Sequence, residues 1–118
     1  MKQFLAVYMG SATDDIMKKW MAMDENTRKE KERAGMQAWG KWVETHKKSI
    51  VVGGGPLGKT KKADPSGITD IKNLMTGYTV VQAETHEEAA KMFKEHPHFS
   101  IFPGASVEIM EVLPIPGM

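Results

Sequence analysis

Three observations predict an antiparallel α+β layer, one sheet with two helices on a single face. Residues 4–9 read FLAVYM, apolar on both alternating sets of positions, as in a strand buried on both sides. Apolar residues recur at helical spacing in two places, around Trp39 and Trp42 and around Ala89 and Phe93. Strand-like segments separate and flank those helices, so the order is strand, helix, strand, hairpin, strand, helix, strand. That order builds the ferredoxin-like split βαβ arrangement, α+β with an antiparallel sheet and both helices on one face. The other sheet face then needs a cover, and a second copy of the chain packed face to face is the simplest one.

The elements follow in turn. After Gly10 and Ser11, Thr13 is the expected N-cap of a short helix, with Asp14 and Asp15 in its first turn and Ile16, Met17, Trp20 and Met21 at helical spacing. Residues 24–33 mix Glu, Lys and Arg at i,i+3 and i,i+4 spacing, as a solvated helix surface does. From Ala34 the stripe Ala34, Ala38, Trp39, Trp42, Val43 and His46 marks the main helix, which should end near Lys47 and Lys48. Residues 49–52 form a strand leading into Gly53-Gly54-Gly55-Pro56, and the turn signal Asp64-Pro65-Ser66-Gly67 within residues 59–72 marks a hairpin or loop. Residues 77–83, GYTVVQA, are the next strand. Thr85 caps a helix over residues 86–95, Pro97 ends it, and residues 106–113 form the last strand before Pro114.

Composition bounds the function. A chain of 118 residues is expected to form one domain over residues 1–118. With 16 basic against 15 acidic side chains, net charge +1, it has no electrostatic footprint for nucleic acid or an anionic bilayer. The absence of cysteine excludes disulfides, thiol nucleophiles and cysteine-bound clusters. No apolar run reaches ~20 residues and the opening one is too short for a signal peptide, so the expectation is a cytoplasmic protein without a membrane partner.

Taken together, the opening FLAVYM, the helix with Trp39 and Trp42, IVVGGGPL, GYTVVQAET, EEAAKMF, the His96-Pro97 pair and VEIMEVLPI resemble, in order and spacing, the YCII-related superfamily. The resemblance spans nearly the whole chain and implies a dimeric α+β barrel. Where the DGPF-type branch carries its namesake motif, this chain offers Asp64-Pro65-Ser66-Gly67. Where YCII-like members place a helix histidine of a proposed His–Asp site, Ala38 or a neighbour stands here. The resemblance therefore implies the fold more than an activity.

Gly53-Gly54-Gly55-Pro56-Leu57-Gly58-Lys59-Thr60 fits the phosphate-loop pattern and follows a strand. That chemistry needs a helix starting at the Lys-Thr end, and Pro65 five residues beyond Thr60 argues against one, so a strand end and turn is expected. His96 and His98 bracket Pro97 and are the candidate acid/base residues, since a neutral imidazole serves near pH 7. Trp39, Trp42, Tyr78, Phe99 and Glu108 are the candidate ligand-binding residues, in a cleft between the long helix and the sheet. No cofactor or metal is called for. The reading is a homodimer binding a small organic molecule. Its alternatives are a small-molecule enzyme using a histidine, or a structural or regulatory module whose free sheet face binds another protein.

Overall fold

The computed structural model describes residues 1–11 and 15–117. Four strands form the main sheet, β1 (Lys2–Met9), β2 (Ile50–Pro56), β5 (Met75–Ala83) and β6 (Ser106–Glu111). Their order is β2-β5-β1-β6, every neighbouring pair antiparallel, which is the expected split βαβ topology. The sheet is open, with β2 and β6 at its edges, so one chain closes no barrel. The two remaining strands, β3 (Thr60–Asp64) and β4 (Gly67–Ile71), pair only with each other, in a hairpin that projects as a solvated arm.

Alternation along β1 decides what faces what. Phe4, Ala6 and Tyr8 pair with Val81, Thr79 and Gly77 and point to the helices, where the core lies. Leu5 and Val7 pair with Val80 and Tyr78 on the opposite face, which no helix covers among the described residues, although Val7 is itself buried between its neighbours. The sequence had left open which set a second copy would cover. The Phe4 set is already buried by helices of its own chain.

Helix α1 (Asp15–Ala22) buries only Trp20, against Phe102, and leaves Ile16, Met17 and Met21 exposed. The expected cap Thr13, and Asp14, lie outside the described residues. The polar stretch and the aromatic stripe expected after it are one helix, α2 (Glu25–Thr45). Asp24 caps it, accepting from the Thr27 N–H at 3.4 Å, and the Thr27 hydroxyl, with that N–H behind it, holds the Asp24 carboxyl below its ordinary range. Its packed side carries Gly35, Ala38, Trp39, Trp42 and His46, whereas Ala34 and Val43 of the expected stripe are exposed. His46 ends the helix and a 3₁₀ turn, Lys47–Ser49, leads into β2.

Helix α3 (His86–Lys91) starts as expected, Thr85 Oγ1 accepting from the Glu88 N–H. Pro97 does not close a helix into a loop but opens one, α4 (Pro97–Ser100). The fixed φ of proline and its missing N–H suit the first turn of a helix. This difference places His98 on an ordered turn.

Candidate functional site

Tyr8 closes the helix-facing row of β1 and collects aromatic rings from α2 and α4. Its ring centroid lies 5.0 Å from Trp39 of α2, 5.0 Å from His96 and 5.3 Å from His98 of α4. The phenol oxygen sits 2.7 Å from Thr79 Oγ1, which in turn lies 3.2 Å from the Gly53 carbonyl. Burial raises the Tyr8 pKa, the Thr79 bond opposing it, so the phenol is neutral at physiological pH.

His98 Nε2 is 2.8 Å from the Met9 carbonyl oxygen. A carbonyl only accepts, so Nε2 carries the proton and the tautomer is set. Burial lowers the His98 pKa while the Met9 and Ser106 carbonyls pull the other way. The ring therefore stands neutral at neutral pH, pinned to the backbone of β1.

His96 is fully buried. Its Nδ1 accepts from the His98 N–H at 3.0 Å and caps α4, so Nε2 carries the hydrogen and finds no hydrogen-bond acceptor. Around it stand Trp39 at 4.3 Å, edge-on, and Trp42 at 4.7 Å. Burial, then the neighbouring His98 and His46, push its pKa down to about 4. It orients His98 and does not itself meet a cavity.

Tyr8, Trp39 and His98 line a cleft of about 430 Å³ together with Met36 and Phe102. Its other wall is the glycine run of β2, where the ladder with β5 slips between Val52 and Gly55. Gly54 takes φ 71°, and a Cβ there would overlap the Tyr78 carbonyl, so only glycine fits the bulge. No lysine, arginine or carboxylate lines this cleft among the described residues. Phe102 reaches it because Gly35 lets its ring lie against α2, where a Cβ would come within 2.6 Å. A second cleft, of about 380 Å³, meets the far side of His98 and Phe102 beside Gly104. A third hollow, a wide groove at the foot of the β3–β4 arm, is flanked by Lys59, Lys61 and Lys72, of which Lys61 is paired with Asp70 at 2.6 Å.

The expected site residues divide. Trp39, Tyr78 and His98 line the cleft, although the pairing of Tyr78 with Val7 directs its ring to the opposite sheet face. Trp42 does not line it: its indole N–H donates to the Met92 carbonyl at 2.7 Å and its ring packs on Phe93. Phe99 is half-buried and outside the cleft, and Phe102 occupies the place expected of it. Glu108 is exposed and pairs with Val7, so it belongs to the uncovered face. His96 and His98 do not converge as a metal pair, because each has a ring nitrogen committed within the chain. The glycine run is followed by strand β3 where a phosphate loop requires a helix. Thr79, Met36, the glycine wall and Tyr8 are not among the site residues the sequence predicts. The usable signal was Tyr8 itself, in phase with Phe4 and Ala6 on a strand and in need of a hydroxyl partner once buried.

The YCII-related domain model matches residues 13–115, nearly the full length. The chain belongs to the YCII-related domain family. Among solved structures, this YCII-related chain is similar to 5-chloro-2-hydroxyhydroquinone dehydrochlorinase from Burkholderia phenoliruptrix, in complex with 2,5-dihydroxybenzoquinone. The TM-score is 0.50 at 18% identity, over 92% of this chain and 90% of that one, a likeness of fold. A search of curated proteins found no match. No helix of this YCII-related domain, among the described residues, is long and apolar enough to cross a membrane.

Proposed function

We propose that this YCII-related protein is a cytoplasmic homodimer that binds a small, neutral organic molecule in the cleft between α2 and the sheet. The cleft itself carries the reading: aromatic and methionine walls, a side-chain-free glycine wall, no charged side chain, and two neutral polar rings, Tyr8 and His98, at its inner end. An anion or a cation entering it would lose its hydration with no countercharge in return. The structural neighbour, a protein of similar fold, was solved with a small oxygenated ring. His98 is the residue proposed to meet it.

The dimer rests on area. The chain exposes 8638 Å², against roughly 6,400 Å² for a compact monomer of its mass. Its radius of gyration is 16.3 Å, where about 13.5 Å is usual for this length. The excess, roughly 2,200 Å² on one chain, is more than the ~800 Å² a standard interface takes from each partner, which leaves area for an interface besides the solvated arm, and the uncovered sheet face supplies Leu5, Val80 and Met110 for it.

A thermal-shift screen of small neutral aromatic compounds, followed by NMR titration of the best, tests the site. Shifts centred on Tyr8, Trp39 and His98 and weakened by His98→Ala are the expected result; shifts confined to the groove beside Lys59 and Lys72 would refute it. Light scattering tests the assembly: about twice the chain mass for the parent and the chain mass for Leu5→Glu. A monomeric parent would leave the open face to another protein.

A further inference from the structure

The hydrogen bonds at the inner end of the cleft have a fixed direction. The Gly53 carbonyl can only accept, so Thr79 must donate its one hydroxyl proton to it. Thr79 Oγ1 is then the acceptor in its 2.7 Å contact, and Tyr8 must donate its phenol proton to Thr79. The relay runs Tyr8 to Thr79 to Gly53 and ends in backbone. Tyr8 is left with oxygen lone pairs and no proton to offer.

From this we infer that the cleft selects a neutral planar ring bearing a hydroxyl group, whose O–H donates to Tyr8 Oη. This deepens the proposed function and rests on it. Burial keeps the Tyr8 phenol protonated, so its proton stays in the relay instead of leaving to make a phenolate. The only histidine proton at the cleft, on His98 Nε2, is likewise spent on the Met9 carbonyl. The ring has flat surfaces to lie between, the Trp39 indole and the bare backbone around Gly53 and Gly55. A ligand group that can only accept, such as a methyl ether, would leave the Tyr8 oxygen facing it with no hydrogen between the two.

The test compares 4-methylphenol, 4-methylanisole and 4-methylbenzoate by NMR titration of the full chain. The phenol should bind about tenfold more tightly than the ether, one hydrogen bond's worth, and the carboxylate should bind weakest. Tyr8→Phe should abolish the preference for the phenol while leaving the ether's affinity within about twofold. Thr79→Val, nearly equal in shape, frees the Tyr8 proton to point into the cleft, and the ether should gain at least severalfold on the phenol. Equal binding of phenol and ether to the parent, or a preference that survives Tyr8→Phe, would overturn the relay while leaving the cleft as a site. Failure of all three probes to shift Tyr8, Trp39 or His98 would overturn the site as well. If Tyr8→Phe does not fold, Thr79→Val alone decides.

Discussion

Gly104 lies directly against the ring of His98: a Cβ there would overlap Cε1 and Nε2 and sit 2.5 Å from the His98 carbonyl oxygen. The Gly104 N–H also donates to that carbonyl, at 2.9 Å. The position of the imidazole is thus set from three sides, by Gly104 beneath it, by His96 through its backbone N–H and by the Met9 carbonyl at Nε2.

Gly104→Ala should therefore displace the imidazole from Met9 and cost about 1–3 kcal/mol of stability, the scale of an overpacked buried site. Urea unfolding measures the cost and the His98 ring resonances report the displacement. An alanine variant of unchanged stability and unchanged His98 shifts would contradict this geometry.

The buried histidine makes stability depend on pH in a defined window. Unfolded, His96 binds its proton near the ordinary 6.5; folded, it does so only at about 4. Between those values the unfolded chain holds more protons, so stability is complete above pH 6.5 and is lost as pH falls toward 4. The loss from this residue is on the order of 3 kcal/mol, and His98 and His46, also lowered by burial, add to it in the same direction. Urea midpoints at pH 7.5 and 4.5 should differ accordingly. His96→Gln, which keeps an acceptor for the His98 N–H, should flatten the difference.

The two indoles of α2 should separate binding from stability. Trp39→Leu should weaken 4-methylphenol severalfold by removing a cleft wall. Trp42→Phe should leave binding intact and cost about 1–2 kcal/mol, because the Met92 carbonyl loses its donor. Binding lost equally in both variants would contradict the division of roles.

Within the glycine run, Gly54→Ala should destabilise by about 1–3 kcal/mol, since an L-residue resists its positive φ and its Cβ meets the Tyr78 carbonyl. Gly53→Ala, with nothing within 4 Å of the added carbon, should change stability by less than about 1 kcal/mol. Isothermal titration with ATP and magnesium should show no binding by the parent, and Lys59→Ala should change nothing.

The alternating apolar strand, the capping Thr85 with Glu87 and Glu88 behind it, and the turn at Asp64 to Gly67 were legible because each signal is local. The period of a strand, a side-chain oxygen reaching an N–H three residues on, and a tight turn need no distant partner. Pro97 carries two meanings in sequence, since proline both stops one helix and starts the next, and here it opens α4 behind the His96 cap. Trp39 and Trp42, three residues apart on one helix, look equivalent in sequence, yet one faces the cleft and the other docks on the Met92 carbonyl. Glu108 lies away from the cleft because it pairs with Val7, on the face opposite Tyr8.

The sequence by itself determined the strand and helix order, the antiparallel topology, and the failure of the glycine run as a phosphate loop. All of these follow from periodicity, caps and the helix-breaking Pro65, which act over a few residues. The tertiary structure alone decided that Tyr8, Thr79 and Gly53, 71 and 26 residues apart across their two hydrogen bonds, form one directed chain, and that His98 reaches Met9 across 89 residues. Strand register and helix docking make those contacts, and both are set by burying the whole Phe4, Val81 and Phe93 core at once, a property of the packed chain and of no segment within it.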